Sequence, residues 1–441
     1  MSEQMIQLAQ SEASTSLNNG DSKRMSRPKW KMFKRFLSFA GPGYLVAVGY
    51  MDPGNWATDL AAGSKYGYSL LSVVLIANLM AMLLQFLAGK LGIVTGMDLA
   101  QACRSHFSKT TNLLLWTAAE VAIIACELAE IIGAAIALQL LFGIPLLMGI
   151  LITVADVLMI LALQKKGLRY IEAFVIVLIA TIGVCFILEL WLAKPNVADV
   201  FGGYLPTTSI FHDPGMLYLA IGIIGATVMP HNLYLHSSII KTRVNGKNIP
   251  GKASLIRMMT WDSCIALFLA LLINSAILIL ASAAFHLNGN QNVAEIQDAY
   301  TLLTHVLGTT FASLLFGVAL LAAGQNATLT GTIAGQVVME GFLNLKLKPW
   351  VTRLLTRSIA IIPVVIITVL YGASGTSELL VFSQVILSLQ LPFAVLPLVH
   401  FTSNRKLMGV HANSTLIRIV SIVCCVILVG LNLYLLVQWT L

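Results

Sequence analysis

Two prolines interrupt long apolar stretches of the sequence, in GYMDPGNW at residues 49–56 and in GATVMPHN at residues 225–232. Proline removes a backbone donor and clashes with the preceding helical turn, and the neighbouring glycines weaken a helix further. A broken helix at membrane depth is tolerated only where it is buried in protein or lines a cavity. Both stretches are therefore predicted to be helix breaks that face the interior of a membrane protein.

The composition of the chain supports this prediction. Of its 441 residues, 58% are hydrophobic and only 10% are charged, whereas an average soluble domain has roughly 25% charged residues. This shortage of charge excludes a soluble multidomain enzyme, and the apolar majority excludes a disordered or collagen-like chain. The net charge of +8 could suit a nucleic acid, but no soluble domain is left to present a basic face, so we expect no nucleic-acid partner. The six cysteines include no CxxC pair and are expected to be buried apolar residues.

A spanning helix needs about 20 apolar residues, and the hydropathy pattern predicts eleven such helices. Their expected ranges are 39–67, 69–92, 113–140, 143–164, 170–193, 215–240, 260–285, 308–343, 353–371, 377–401 and 415–438.

The distribution of positive charge sets the expected orientation. With the N-terminus in the cytoplasm, all of the 27 Lys and Arg residues except Lys65 and Lys194 fall on the cytoplasmic side, as the positive-inside rule requires. The C-terminus is then outside. Residues 1–38 are predicted to be a disordered cytoplasmic tail that ends in a basic juxtamembrane run. They do not resemble a signal peptide, and with the short loops this favours a bacterial plasma membrane.

The two breaks occupy corresponding positions, in the first and the sixth span. Spans 1–5 and 6–10 would form two halves, and because five is odd the second half would be inverted. The expected segments are a first repeat at 39–193, an extracellular loop at 194–214, a second repeat at 215–401, and a cytoplasmic loop with the eleventh helix at 402–441. Paired breaks in an inverted repeat are typical of the substrate site of a secondary transporter.

The residues at the breaks suggest which substrate is carried. Asp52 is a carboxylate in an apolar span, and a bound cation would offset the cost of burying it. Asn55 supplies an amide oxygen, Met229 a thioether sulfur, and the second break frees carbonyls such as that of Ala226. Mg²⁺ and Ca²⁺ prefer all-oxygen shells, whereas sulfur favours softer ions. The mixed set therefore indicates Mn²⁺, Fe²⁺ or a similar ion, with the sulfur selecting against Mg²⁺ and Ca²⁺.

The two breaks, DPGN at 52–55 and MPHN at 229–232, resemble the signatures of the Nramp family of proton-dependent divalent-metal transporters. A third resemblance is AGQNATLTGTIAGQ at 323–336, followed by MEG at 339–341; it departs from the family pattern at Asn326 and Ala327. The similarity runs from about residue 38 to the C-terminus. It implies an all-α, leucine-transporter-like fold of ten helices in two inverted halves, with helices 1 and 6 broken, plus an eleventh helix.

The resemblance also implies a function and further site residues. The function is import of Mn²⁺ or Fe²⁺ with protons, with the metal as substrate and no cofactor. Gln384 would join the metal ligands in some conformations. The implied proton pathway, separate from the metal, comprises Glu127, Glu130, His231, His236 and Arg357. On its own chemistry Asp52 is a further proton acceptor, because a metal ligand must release its proton when the metal binds. The half-helices would hinge at Pro53, Gly54 and Pro230.

Two other classes remain as alternatives. One is an organic-solute carrier of the same fold, for instance for amino acids, although Asp52 would repel a substrate carboxylate. The other is a membrane enzyme or a channel, but neither a convergent catalytic set nor a repeated filter is present. We expect the protein to work in the lipid bilayer as a monomer. Asp156 and Glu189 also fall within predicted spans, and the sequence assigns them no role.

Overall fold

The computed structural model describes residues 41–155, 168–242, 251–290, 293, 295–345 and 348–440. Throughout these residues the regular structure is helical and contains no strand, which confirms the all-α prediction. The expected N-terminal tail at 1–38 and Asp156 lie outside the described residues.

The helices follow one another with short connections. In chain order they are α1 Pro42–Ala47, α2 Pro53–Tyr66, α3 Leu71–Thr95, α4 Leu99–His106, α5 Lys109–Phe142, α6 Leu146–Ile152, α7 Leu168–Ala193, α8 Val197–Gly203, α9 Pro214–Val228, α10 Pro230–Thr242, α11 Lys252–Ala284, α12 Ile296–Leu307, α13 Thr310–Leu343, α14 Pro349–Ser403, α15 Arg405–Met408 and α16 Thr415–Thr440.

The first predicted break separates α1 from α2. A 3₁₀ turn at Val48–Met51 follows α1, and Asp52 then adopts an extended conformation with φ −71° and ψ 165°. Pro53 occupies the first helical position of α2, where a missing N–H costs nothing. The chain therefore leaves the helix for one turn and re-enters it at a capped start.

The second break separates α9 from α10 at a single residue. Met229 has φ 39° and ψ 100°, a left-handed conformation that costs a side-chain-bearing residue about 1–3 kcal/mol. Pro230 then begins α10. Helix-breaking residues at the predicted positions thus produce both interruptions.

Eight of the described helical segments are long and apolar enough to cross a membrane. Two of them join spans that the sequence separated: Pro53–Thr95 runs through the expected first and second spans, and Leu354–Ser403 through the ninth and tenth. The first join is a 3₁₀ turn at Gly67–Leu70. The second is Gly372, whose φ of 67° and ψ of −146° divide α14 into two helical parts. The expected fourth span is described only to Ala155.

Packing brings both breaks into the interior of the bundle. Helix α11 packs along α1, α2 and α3, while α13 packs against α5, α7 and the 3₁₀ turn of the first break. We call the end at which α2 finishes and α9 begins the Tyr66 end, because the Tyr66 hydroxyl donates to Asp213 there over 3.1 Å. The opposite end, at which α10 finishes, is the Lys241 end.

Candidate functional site

The start of α2 organises the first half of the site. Asp52 caps the helix, because its Oδ1 accepts from the Asn55 backbone N–H at 2.9 Å and from the Asn55 side-chain Nδ2 at 2.7 Å. A carboxylate at the N-cap position satisfies one of the open N–H groups and is favoured by the helix dipole. Both side chains are at most 1% exposed. The sequence therefore fixes a buried carboxylate and a buried amide side by side.

One atom connects the two breaks. Asn55 Nδ2 also donates to the Ala226 carbonyl at 2.9 Å, so the amide N–H₂ group bridges an oxygen of the first break and an oxygen of the second. Oxygen atoms that share one donor in this way lie close enough to share one cation. The predicted residues Asp52, Asn55 and Ala226 are thus brought together.

Met229 stands at the second break, three residues after Ala226. Its sulfur accepts from Asn232 Nδ2 at 3.4 Å, and the side chain is completely buried. A Cβ added at Gly49 would fall on the Asn232 amide, so Asn232 lies against the 3₁₀ turn of the first break. The thioether is therefore held by a residue that contacts the opposite half-helix.

Gln384, on the second part of α14, faces the same place. A Cβ added at Gly54 would overlap its side-chain amide, and one added at Gly225 would overlap its backbone carbonyl. Its Nε2 donates to the Ser383 hydroxyl at 2.8 Å. The two glycines therefore allow Gln384 to approach both breaks.

Several buried oxygens around the breaks have no hydrogen-bond partner within the described part of the chain, among them Asp52 Oδ2, Thr227 Oγ1 and Gln384 Oε1. Buried polar atoms in native proteins are nearly always satisfied by protein, water or an ion. No group of three His, Cys, Asp or Glu residues suited to a metal occurs among the described residues. Any metal here would therefore use the mixed carboxylate, amide, carbonyl and thioether donors.

Thr227 and Asn274 also belong to this site, although nothing in the sequence distinguishes either of them. Asn274, on α11, donates from Nδ2 to the Tyr50 carbonyl at 2.8 Å and to Asn55 Oδ1 at 3.3 Å. It therefore holds both the free carbonyl of the first break and the orientation of the Asn55 amide. An asparagine in an ordinary apolar helix carries no local signal, so only the fold reveals this contact.

The acids on α5 lie in a separate buried cluster with α14. Glu127 Oε1 accepts from the Thr356 hydroxyl at 2.6 Å, and Glu130 Oε2 lies 3.9 Å from Arg357 Nη1. The structure thus places Glu127, Glu130 and Arg357 together. Thr356 is an addition that the sequence did not reveal.

The two histidines of α10 enter different networks. His231 Nε2 lies 3.6 Å from Cys126 Sγ, which also lies 3.6 Å from Glu130 Oε1. His236 Nδ1 instead lies 3.0 Å from Gln85 Oε1. Only His231 is therefore joined, through the Cys126 thiol, to the acids of α5.

His236 belongs to a chain of contacts at the first break. Gln85 Nε2 donates to the Tyr50 hydroxyl at 2.8 Å, and His236 Nε2 lies 3.4 Å from the Ser263 hydroxyl. These residues connect α3, α10 and α11 to the 3₁₀ turn of the first break.

The predicted hinge residues occupy tight contacts. Pro53 packs on Gly133 of α5, where an added Cβ would overlap the proline ring, and Gly54 faces Gln384. Pro230 begins α10 directly after the strained Met229. Glu189, which the sequence left unassigned, is fully buried on α7, and neither of its oxygens has a hydrogen-bond partner among the described residues.

Comparison with known proteins finds close relatives. Residues 43–438 match the family described as Natural resistance-associated macrophage protein-like, or Nramp. The chain is 59% identical over 404 residues to the divalent metal cation transporter MntH of Bradyrhizobium diazoefficiens, covering 92% of this chain and 90% of that one. It is 58% identical over 406 residues to the protein of the same name from Nostoc sp., covering 92% of each.

Solved structures give the same result for the fold. The crystal structure of the Eremococcus coleocola manganese transporter superposes with a TM-score of 0.84 at 41% identity, covering 91% of this chain and 87% of that one. Mhp1, a nucleobase-cation-symport-1 family transporter, superposes with a TM-score of 0.60 at 17% identity, covering 91% of this chain and 92% of that one. This second match shows a similar fold only.

Proposed function

The chain belongs to the Nramp family, whose members are transporters of metal ions and not enzymes, and we propose that it imports Mn²⁺, and also Fe²⁺ and similar ions, together with protons by alternating access. The names of its relatives, divalent metal cation transporters and a manganese transporter, support the substrate class. The site between the two breaks supports the choice of residues.

The observation that carries the proposal is the bridge from Asn55 Nδ2 to Asp52 Oδ1 at 2.7 Å and to the Ala226 carbonyl at 2.9 Å. A donor that links two buried oxygens occupies the place that a cation would fill. On metal binding the amide rotates so that its oxygen, instead of its nitrogen, faces the ion. Asp52, Asn55, Ala226 and Met229 then form the ligand set, and Gln384 joins it.

The ligand types favour a transition metal. Mg²⁺ and Ca²⁺ prefer oxygen donors throughout, so a thioether in the shell penalises them relative to Mn²⁺ or Fe²⁺. Met229 also keeps a costly left-handed conformation (φ 39°), which a glycine would adopt without strain. Retaining a methionine there is consistent with a need for its sulfur.

Protons would use the acids of α5. Glu127 and Glu130 are buried at membrane depth, where ionisable groups are functional by default, and Cys126 connects Glu130 to His231 beside the second break. Asp52 itself would release a proton when the metal binds, because ligands of metals must be deprotonated. An inward-negative potential favours cation entry by about 2.3 kcal/mol per charge per 100 mV.

The proposed arrangement in the membrane has eleven spans, with the N-terminus in the cytoplasm and the C-terminus outside. Dividing Pro53–Thr95 at its 3₁₀ turn and α14 at Gly372 supports this number. The Tyr66 end would be external and the Lys241 end cytoplasmic. Rotation of α1 and α10 about Pro53, Gly54 and Pro230 would open the site to one side and then to the other.

Mn²⁺ uptake into proteoliposomes, with the internal pH recorded, tests the proposal. We expect Asp52→Ala to abolish uptake and Met229→Ala to retain some Mn²⁺ uptake while losing discrimination against Ca²⁺ and Mg²⁺. Met339→Ala, a buried methionine of α13, is the matched control. If Asp52→Ala transports as well as the parent, the site is wrong, and unchanged ion discrimination in Met229→Ala would refute the role of the sulfur.

Glu130→Gln tests the coupling to protons. We expect it to reduce internal acidification more than Mn²⁺ uptake, because the pathway is separate from the metal ligands. Glu340→Gln is the control, since Glu340 accepts from Gln336 at 2.9 Å outside the α5 cluster. Equal losses of acidification and metal uptake in Glu130→Gln would contradict a separate pathway.

A further inference from the structure

A cavity lies at the Tyr66 end, apart from the buried residues at the two breaks. It measures about 830 Å³ and is walled by the end of α2, the start of α9 and the two parts of α14 on either side of Gly372. Its polar lining includes Lys65, Tyr218, Glu295, Ser377 and Glu378. We refer to this space as the antechamber.

The lining of the antechamber holds more negative than positive charge. It has two carboxylates, Glu295 and Glu378, and one lysine, Lys65. Within the described residues neither glutamate forms an ion pair, and the charge of Lys65 also acts on Asp213, whose pKa is lowered by hydrogen bonds from Met216, Tyr66 and Gly215 and by this lysine. An excess of negative charge in a cleft concentrates cations from solution.

A buried hydroxyl in the wall points to a ligand independently of the acids. Ser377 lines the antechamber, is 3% exposed, and its Oγ has no hydrogen-bond partner among the described residues. Unsatisfied buried hydroxyls are uncommon and are usually met by ordered water or an ion. A water shell in the antechamber would satisfy it.

The antechamber is close to the metal site but closed from it. Val381 lines its floor, and Gln384 follows one turn later, about 4.5 Å along the helix axis. Thr58 and Val385 meet Gly222 in the layer between, where an added Cβ would lie 3.1 Å from Thr58 Cγ2. About one layer of side chains therefore separates the antechamber from Gln384.

We propose that the antechamber is a weak binding site for a hydrated divalent cation, held by Glu295 and Glu378 through its water shell and by Ser377 in the wall. Binding through water fits the absence, in the described residues, of three metal-ligating acids, histidines or cysteines in one group. Six waters of about 30 Å³ each fit readily into the space. The inference rests on the proposed function for its role, which is to supply ions to the buried site.

The first test is the salt dependence of Mn²⁺ uptake in proteoliposomes. For Glu378→Gln and Glu295→Gln we expect KM to rise about threefold at low ionic strength with kcat unchanged, and the difference to shrink at high salt, because screening removes long-range attraction. The matched control is Asp199→Asn, which removes an exposed charge of α8 at the same end, outside the antechamber lining. A KM equal to that of Asp199→Asn would overturn the proposal.

The second test separates this site from the transport site. Mn²⁺ binding is measured by electron paramagnetic resonance on the Asp52→Ala protein, with and without Glu378→Gln and Ser377→Ala. We expect about one weakly bound ion per chain, weakened severalfold by either further change. If this binding persists but the parent transports no Mn²⁺, only the proposed function is refuted. If no Mn²⁺ binds, or if neither Glu378→Gln nor Ser377→Ala weakens the binding, the antechamber site is refuted.

Discussion

Replacing Lys241 with methionine is expected to loosen the Lys241 end of the bundle. Lys241 Nζ lies 2.6 Å from Asp98 Oδ2 and 2.9 Å from Gln101 Oε1. One turn earlier on α10, the Ser237 hydroxyl accepts from the Leu99 N–H at 3.0 Å. These contacts join the half-helix after Pro230 to the start of α4.

The magnitude follows from the burial of the pair. The Lys241 side chain is 20% exposed and that of Asp98 is 3% exposed. Breaking a fully buried pair costs about 3–5 kcal/mol, and an exposed pair is worth about 0–1 kcal/mol. An intermediate value of about 2 kcal/mol corresponds to a roughly 30-fold increase in the open population.

The thiol of Cys103 reports this opening. Cys103 lies on α4 and is fully buried, and burial together with the charge of Asp98 raises its pKa well above the usual thiol value. A thiol reagent therefore reacts only when α4 moves away from the helices that pack on it, of which α10 is one. Labelling of the Cys103 peptide, followed over time by mass spectrometry, should be about 30 times faster in Lys241→Met than in the parent.

The control removes a different charge at the same end. Lys252 is exposed and donates to the Val94 carbonyl at 2.8 Å, so Lys252→Met alters the charge without touching Asp98. Cys103 labelling at the same rate in Lys241→Met and Lys252→Met would show that the ion pair does not hold α10 against α4.

Three further predictions concern the site and the start of α9. Gly54→Ala places a Cβ on the Gln384 amide, so overpacking of about 1–3 kcal/mol should lower Mn²⁺ uptake tenfold or more, measured by initial rates with parent-like protein levels. Asn274→Leu removes the donor that holds the Asn55 amide in its metal-free orientation and, at about 1 kcal/mol for one lost hydrogen bond, should lower the Mn²⁺ dissociation constant about fivefold in titration calorimetry. Asp213→Asn should lower the melting temperature at neutral pH, because it removes the carboxylate cap of α9. Since the pKa of Asp213 is lowered in the folded state, the cap stabilises the fold above the unfolded-state pKa and loses this effect as the pH falls through the folded-state pKa. The melting temperatures of the parent and the variant should therefore differ at pH 7 and be closer together at pH 3.

Features that depend on local chemistry were accessible from the sequence. Pro53 and Pro230 break a helix wherever it lies, and the polar residues beside them, Asp52 and Asn55, stand out because the surrounding spans are apolar. The all-α membrane fold follows from composition in the same way. The structure then brings these residues and Ala226 around one donor atom.

Features that depend on contacts between distant segments were not accessible. Asn274 and Thr356 matter because α11 and α14 pack beside α2 and α5, and nothing in their own helices distinguishes them. The sequence did place the boundary between the ninth and tenth spans at 371–377, and Gly372 divides α14 there. How the division is made was not accessible, since one glycine in a left-handed conformation turns the chain without a polar loop.

The bridging amide of Asn55 also bears on turnover. Under the proposed function, the metal-free protein has a satisfied arrangement at this site, because the N–H₂ group donates to Asp52 Oδ1 and to the Ala226 carbonyl. We expect such a carrier to return without cargo. With proton coupling, a carrier that returns empty can accumulate its substrate, whereas one that returns only when loaded can do no more than exchange; the Asn55 amide would then separate net uptake from one-for-one exchange.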